Sequence, residues 1–167
     1  MERRTIVSVA FLLACAYLAA MYTFPLMKNA LSGWYDPVVT ASEVEAAKWA
    51  YDNVPHQSRF AGDMFACEML TAVAFQVCSI GGAWELADNA NQRYSDNERA
   101  FLSDSATEAH QLLAKYNITY VFVSTRLENN KNFYAYGWKQ PLVEKFETPE
   151  LFLKIYDANG TKIFQVK

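Results

Sequence analysis

The sequence has few of the residues from which catalytic and metal sites are usually built. Its 167 residues include two histidines and three cysteines, and the cysteines lack the paired spacing of a zinc site. No Gly-x-Ser-x-Gly elbow is present, and His56 and His110 are the only histidines that could serve as a base. His110 falls inside a predicted amphipathic helix and is interpreted as a partly solvated side chain. We therefore expect no metal and no cofactor in this chain.

Signals for nucleic-acid and nucleotide binding are also missing. The fifteen Lys and Arg are outnumbered by eighteen Asp and Glu, and the net charge is -3, whereas a nucleic-acid-binding domain needs a basic face. Gly81-Gly82 is followed by neither a Gly-x-Gly-x-x-Gly fingerprint nor a Lys-Ser/Thr pair. The apolar fraction of 52% instead indicates a chain that folds around a core.

Charge is absent from Thr5 to Met27. At about 1.5 Å per residue, a helix of this length crosses the roughly 30 Å hydrocarbon layer of a membrane. Arg3 and Arg4 precede the segment and Lys28 alone follows it. This charge bias predicts a helix in the cell membrane with its N-terminus on the cytoplasmic side. The alternative is a signal peptide cleaved near Ala19-Ala20, but the sequence stays apolar beyond that point, so we favour a single-pass anchor. Both interpretations place the rest of the chain outside the cytoplasm.

The remaining sequence divides into a connector and one domain. Residues 1–30 are predicted to be the transmembrane helix with its flanks, residues 31–41 a turn-rich connector, and residues 42–167 a soluble extracytoplasmic domain. Ser42 and Glu45 match the capping-box pattern and predict a helix that ends before Pro55.

The domain is predicted to be a small mixed-sheet α/β fold that ends in a β-hairpin. Helices are predicted at 42–54, 64–75, 95–102 and 105–116, and strands at 58–63, 76–80, 118–123, 152–156 and 162–166. Ile118–Val123 is a β-branched and aromatic run of the kind that is buried on both faces, which predicts the centre of the sheet. Asn159-Gly160 predicts the hairpin turn. Residues 125–140 show no period and are predicted to form a long loop or a short helix.

One group of polar residues is a candidate site. If the first and third predicted strands are parallel neighbours, their carboxyl ends bring Asp63 close to Ser124, Arg126 and Glu128, and α/β sheets bind ligands at such ends. We treat Asp63, Arg126 and Glu128 as candidate ligand or interaction residues. In the alternative that we favour, Asp63 caps the following helix, and Arg126 and Glu128 form a solvated surface pair.

Two kinds of covalent modification match the sequence. Cys67 and Cys78 could close a short disulfide loop in an oxidising compartment, or could be unpaired in apolar surroundings. Asn117 and Asn159 each begin an Asn-x-Thr glycosylation sequon. Asn159 is the better candidate because it lies at the predicted hairpin tip, whereas Asn117 leads into a buried strand.

The order of these parts resembles a known family. The features that carry the resemblance are the membrane helix, the helix that ends in Asn53-Val54-Pro55, Gly81-Gly82, the run Ala114–Val123 (AKYNITYVFV), Glu128, and the terminal pair Lys154-Ile155-Tyr156 and Ile163-Phe164-Gln165-Val166. Together they are similar to the C-terminal extracytoplasmic domain of archaeal and bacterial polytopic membrane glycosyltransferases of the GT-C type. That family is oligosaccharyltransferase-like and uses lipid-linked sugars.

The resemblance implies an accessory domain of a glycosyltransferase. Enzymes of that type place their catalytic acid on an extracytoplasmic loop between membrane helices, and this chain has one such helix, so the catalytic residue is expected outside this chain. Around Trp84 the sequence reads Gly-Gly-Ala-Trp-Glu-Leu, which departs from the Trp-Trp-Asp-Tyr-Gly acceptor motif of oligosaccharyltransferases. The implied partners are the membrane and a lipid-linked sugar or glycan acceptor.

A second hypothesis is a single-pass, membrane-anchored binding or assembly module. Its interaction surface would be the aromatic segment Phe133–Trp138, although such aromatics also serve as loop packing. An independent enzyme is disfavoured, because the sequence offers no set of base, nucleophile and metal ligands.

Overall fold

The computed structural model describes residues 39–80, 88–128 and 142–167, without the side chains of Arg126 and Glu128, and also residues 13–15, 17, 18 and 21. The chain forms two compact units, Met1–Pro37 and Val38–Lys167. The described residues of the first unit are helical. Within the described ranges, no helix is long and apolar enough to cross a membrane. Most of the predicted membrane helix at 5–27 and of the connector at 31–41 lies outside the described residues, as do Gly81-Gly82, Trp84 and the aromatic segment Phe133–Trp138.

The second unit alternates helices and strands before it ends in a hairpin. Its described elements are α1 (Ala41–Asn53), β1 (Arg59–Ala61), α2 (Met64–Ala74), β2 (Val77–Cys78), α3 (Ala90–Leu102), α4 (Ala106–Lys115), β3 (Tyr120–Val123), α5 (Thr125–Glu128), a 3₁₀ helix (Glu144–Glu147), β4 (Phe152–Ala158) and β5 (Thr161–Val166). The predicted α/β class is confirmed.

The five strands form one mixed sheet in the order β2-β1-β3-β5-β4. β1 pairs in parallel with both β2 and β3, whereas β5 pairs antiparallel with β3 and β4. β3 is therefore the central strand, as its apolar run predicts. Asn159 and Gly160 both have positive φ at the tip of the β4–β5 hairpin, where a tight turn favours Asn-Gly.

Helices cover both faces of the sheet. Phe60, Phe122 and Ile163 point to one face and pack with buried residues of α1 and α2. Ala61, Val121 and Phe164 alternate with them and pack on the other face against α3, α4 and the 3₁₀ helix. The result is a three-layer domain with a separate core on each side of the sheet.

The N-cap of the first helix lies two residues earlier than the Ser42 that the sequence predicts. Its N-cap is Thr40, whose hydroxyl accepts from Glu43 N while Glu43 Oε2 accepts from Thr40 N at 2.7 Å. Both Thr40/Glu43 and Ser42/Glu45 fit the capping-box spacing, so local sequence does not choose between them. Tertiary contacts do, because the Ser42 hydroxyl lies within hydrogen-bonding distance of the Thr125 and Thr161 hydroxyls.

The prediction for the third helix was also too short. Ser95 was expected to cap a turn that runs to Leu102, but α3 begins at Ala90 and Ser95 lies within it. The N-cap is Asn89 in the left-handed conformation, and its side chain makes no capping hydrogen bond. The helix start therefore lacks the Ser/Thr/Asp signature on which the prediction depended.

Candidate functional site

Asp63 and Ser124 meet at the carboxyl ends of β1 and β3. Ser124 Oγ donates to Asp63 Oδ2 at 2.6 Å, while Asp63 Oδ1 accepts from the backbone N–H groups of Phe65 and Ala66 at 3.1 and 3.0 Å. Asp63 is 2% exposed and Ser124 is fully buried. The parallel pairing of the two strands thus brings together two of the residues that the sequence places at this edge.

The same edge is closed further by α3. Asn97 Nδ2 donates to Gly62 O at 3.2 Å, and Ser79 Oγ donates to Asn97 Oδ1 at 2.6 Å. These bonds join the ends of β1 and β2 to the helix that covers them. The carboxyl edge around Asp63 is therefore a buried polar junction. Asp63 caps helix α2, as the favoured alternative from the sequence predicts.

The other two candidates at this edge are placed only in part. Arg126 and Glu128 belong to the short helix α5, which directly follows Ser124. Their side chains lie outside the described part of the structure, so their pairing stays a prediction. In the described ranges, no three His, Cys, Asp or Glu side chains are placed to hold one metal ion.

An open pocket lies on the α3–α4 side of β1 and β2. It has a volume of about 120 Å³, and its polar lining comes from Arg59, Ser79, Arg93 and Tyr116. Apolar surface from Val77, Cys78 and Ile118 completes the lining. The sequence singles out none of these residues as a ligand-binding group, because single arginines on separate elements have no characteristic spacing.

Tyr116 holds both arginines in place. Arg59 Nη1 donates to Tyr116 O at 3.1 Å, and the guanidinium carbon of Arg93 lies 5.7 Å from the centre of the Tyr116 ring. The ring therefore orients Arg93 by a cation–π contact. Tyr116 follows α4 directly, so the end of that helix positions the cationic wall of the pocket.

A buried carboxylate next to the pocket is already paired. Asp96 is 2% exposed, and its Oδ2 accepts from Lys115 Nζ and Tyr116 Oη at 2.6 Å each, while Oδ1 accepts from Gln92 at 2.8 Å. Burial acts to raise the pKa of Asp96, but the hydrogen bonds from Lys115, Tyr116 and Gln92 outweigh it and lower the pKa below 3.8. Asp96 is thus ionised and joins α3 to α4.

Cys67 and Cys78 lie close together, on α2 and β2. Both are free thiols in this structure. Burial, and then the hydrogen bond to Cys67, raise the pKa of the Cys78 thiol well above its usual value. The sequence leaves open a disulfide or two unpaired thiols, and a disulfide between these neighbouring side chains stays a prediction.

The two sequons differ in the surroundings of their threonines. Asn159 and Asn117 are both exposed. Thr161 is fully buried, and its hydroxyl lies 3.2 Å from that of Thr125, whereas Thr119 is exposed and donates to Arg59 O at 3.2 Å. Glycosylation at either asparagine stays a prediction.

Comparison with known proteins gives an informative likeness among solved structures. A scan against protein-family models and a search of curated proteins found no match for this chain. Among solved structures, the chain is similar to the C-terminal globular domain of an oligosaccharyltransferase from Archaeoglobus fulgidus, with 15% sequence identity and a TM-score of 0.58. The likeness covers 77% of this chain and 99% of that domain. The chain therefore shares the fold of an oligosaccharyltransferase C-terminal domain.

Proposed function

We propose that this chain is an extracytoplasmic accessory domain of a membrane glycosyltransferase that uses lipid-linked sugar donors. The observation that carries the proposal is the likeness to the archaeal oligosaccharyltransferase domain, because it extends over 99% of that domain. A match of this extent relates the whole of that domain to most of this chain. In this proposal the catalytic acid belongs to another part of the enzyme, and the present domain binds or positions a lipid-linked sugar or the acceptor.

We further propose that residues 5–27 anchor the domain in the cell membrane, with the N-terminus in the cytoplasm. The charge-free sequence supports this. The side chains of Leu13, Tyr17, Leu18 and Met21 are exposed by 66%, 65%, 55% and 56%. Apolar side chains on helical residues with this exposure suit a lipid environment better than water.

An accessory role fits the polar chemistry of the domain. Among the buried carboxylates, Asp63 is used as a helix cap, Asp96 as a link between helices and Glu43 in the capping box of α1. These structural roles do not favour a general acid or base. His110 Nε2 lies 2.7 Å from Lys167 O, and His56 Nε2 lies 3.2 Å from Tyr51 O. Each histidine thus has a main-chain partner, and a role in binding is better supported than a role in bond breaking.

A gene replacement in the encoding organism tests the proposal. Cells would carry a copy that lacks residues 39–167, and mass spectrometry would quantify both glycopeptides and the lipid-linked glycan. We expect glycopeptides to fall and the lipid-linked glycan to accumulate, because transfer fails while synthesis of the donor continues. Expression of the full chain should restore both pools.

Two results would contradict the proposal. Unchanged pools of glycopeptide and donor would favour the alternative of a membrane-anchored binding or assembly module. A parallel fall of the donor would place the chain in donor synthesis. The full chain with Glu68→Ala is a suitable control for expression level, because Glu68 is an exposed residue of α2 and its replacement should restore both pools as the unchanged chain does.

A further inference from the structure

The pocket between β1, β2, α3 and Tyr116 has two positive charges, and the described residues that line it include no acidic side chain. Arg59 donates one hydrogen bond to a main-chain carbonyl, and the guanidinium of Arg93 lies over the face of the Tyr116 ring. Among the described residues, neither guanidinium has a carboxylate partner. The two guanidinium groups carry the same charge in one pocket, so they repel each other. Such a pair is unexpected in a chain whose acidic residues outnumber its basic ones.

The neighbouring acidic and thiol groups leave this positive charge uncompensated. Asp96 is the carboxylate that packs behind the pocket wall, and its two oxygens are taken by Lys115, Tyr116 and Gln92. Cys78 lines the pocket, but burial raises the pKa of its thiol, so it carries no charge near neutral pH. Among the described residues, no acidic side chain supplies a negative charge in the pocket, and an anionic ligand would supply one.

Enough donors remain free to hold an oxyanion. A guanidinium has five N–H donors, and Arg59 uses one of them while Arg93 uses none within the described structure. The Tyr116 hydroxyl and the Ser79 hydroxyl already donate to Asp96 and Asn97. The two arginines are consequently the binding groups, and Tyr116 is a positioning residue that fixes both of them.

The size of the pocket limits the ligand group. Sites for drug-sized ligands occupy roughly 300–1,000 Å³, whereas this pocket measures about 120 Å³. One water molecule needs about 10–15 Å³, so a group of five heavy atoms fits and a nucleoside does not. Two guanidinium forks that line one pocket match the charge and the oxygen geometry of a dianion better than those of a single carboxylate.

We propose that this pocket binds a phosphate group between Arg59 and Arg93, either as free phosphate or as the terminal phosphate of a sugar ester. Phosphate binding at this pocket would require only the residues that line it, so its test and the gene replacement can fail independently. Binding involves no covalent step.

The test is a titration of the full chain in detergent micelles, followed by ¹H–¹⁵N NMR of backbone amides and of arginine Nε. The probes are inorganic phosphate, glucose 1-phosphate and acetate. Phosphate should shift Arg93 Nε and the amides of Ser79 and Tyr116 with saturation, and Arg93→Gln should weaken this binding by roughly ten- to a hundredfold. Because Arg93 makes no side-chain hydrogen bond in the described structure, this variant should keep the fold.

Arg99→Gln is the matched control. Arg99 lies on the same helix, but it pairs with Glu108 at the surface and does not line the pocket, so its replacement should leave phosphate binding unchanged. Binding of glucose 1-phosphate as well as phosphate would identify a phosphate ester as a ligand, and binding of phosphate alone would identify the free ion. The proposal is overturned if phosphate causes no saturable shift, if Arg93→Gln binds it as the unchanged chain does, or if acetate binds equally well.

Discussion

Ser124 Oγ donates a 2.6 Å hydrogen bond to Asp63 Oδ2, across 61 residues of sequence. This bond joins the carboxyl ends of two parallel strands, β1 and β3. The other oxygen of Asp63 caps helix α2 by accepting from two backbone N–H groups. One buried side chain therefore fixes both the start of a helix and the pairing of the strands next to it.

Removal of this carboxylate should destabilise the domain strongly. We expect Asp63→Ala to lower the free energy of unfolding by about 2–4 kcal/mol, because a helix cap and a charge-assisted hydrogen bond are lost together. Ser124→Ala should cost about 1–2 kcal/mol, and the double variant should cost less than the sum of the two. Urea denaturation followed by circular dichroism measures these values. Glu68→Ala on the exposed side of α2 is the control and should change stability by less than about 0.5 kcal/mol. If the losses of Asp63→Ala and Ser124→Ala add up to the loss of the double variant, the two residues do not interact.

The link between α3 and α4 through Asp96 should depend on pH. The pKa of Asp96 is lower in the folded chain than its ordinary 3.8, so the unfolded state takes up a proton first as the pH falls. The stabilisation is complete above pH 3.8 and is lost as the pH drops through the folded-state pKa. Asp96→Asn should therefore lower stability near neutral pH by roughly 1–3 kcal/mol and lose less stability on acidification than the unchanged chain. Thermal unfolding at several acidic pH values tests this, and parallel curves for the two proteins would show that Asp96 contributes nothing to the acid response.

Lys145 should make the domain more stable at alkaline pH. Its ammonium donates to Phe101 O at 2.9 Å and to Ser103 O at 2.5 Å, at the end of α3, but burial lowers its pKa from 10.5 to about 8. Between these two values the unfolded state binds more protons, so the free energy of unfolding should rise with pH. Lys145→Met should remove this rise. Urea denaturation between about pH 7 and pH 10 measures it.

Lys154 serves as the comparison for Lys145. It is exposed on β4, and its hydrogen bonds to Asp157 and Glu147 raise its pKa. These ion pairs contribute to the free energy of unfolding below pH 10.5, and their contribution is lost only at higher pH. Lys154→Met should therefore leave the rise in stability between pH 8 and pH 10.5 in place. A loss of the rise in Lys154→Met, or its persistence in Lys145→Met, would contradict the assignment to Lys145.

Cys67 and Cys78 should form a disulfide under oxidising conditions, but slowly. The raised pKa of Cys78 keeps its thiol protonated near neutral pH, and the thiolate is the reactive form. Closure of this short loop should stabilise the domain by about 2–3 kcal/mol. Mass spectrometry of a Cys15→Ser background after exposure to oxidised glutathione detects the bond, and Cys67→Ser in the same background is the control. Oxidation without a gain in stability would show that the bond strains the native contact between α2 and β2.

Much of the secondary structure could be predicted because its signals are local. The apolar run before Ser124, the Asn159-Gly160 turn and the helix that ends before Pro55 all correspond to observed elements. Ser105 and Glu108 have the spacing of a capping box, but the box forms only in part. Ser105 Oγ accepts from Glu108 N at 3.2 Å as expected, but the Glu108 side chain accepts from Ser103 and Arg99 instead of closing the box.

The candidate site was predicted less well, since it depends on which elements are neighbours. Asp63 and Ser124 were expected at one edge, and the parallel pairing of β1 and β3 places them there. The structure closes that edge with hydrogen bonds, and the open pocket lies elsewhere, around Arg59 and Arg93. A sequence without a spacing motif gives no means to associate these two arginines.

By itself, the sequence determined the type and order of most elements, the mixed α/β class and the hairpin at the end, because hydrophobic period, caps and turn residues act over a few positions. Only the tertiary structure decided the strand order β2-β1-β3-β5-β4, the choice of Thr40 as helix cap, and the position of Tyr116 beside Arg59, which is 57 residues away in sequence. These features depend on the packing of helices on both faces of the sheet. That packing brings residues that are distant in sequence into contact, and local sequence signals do not specify it.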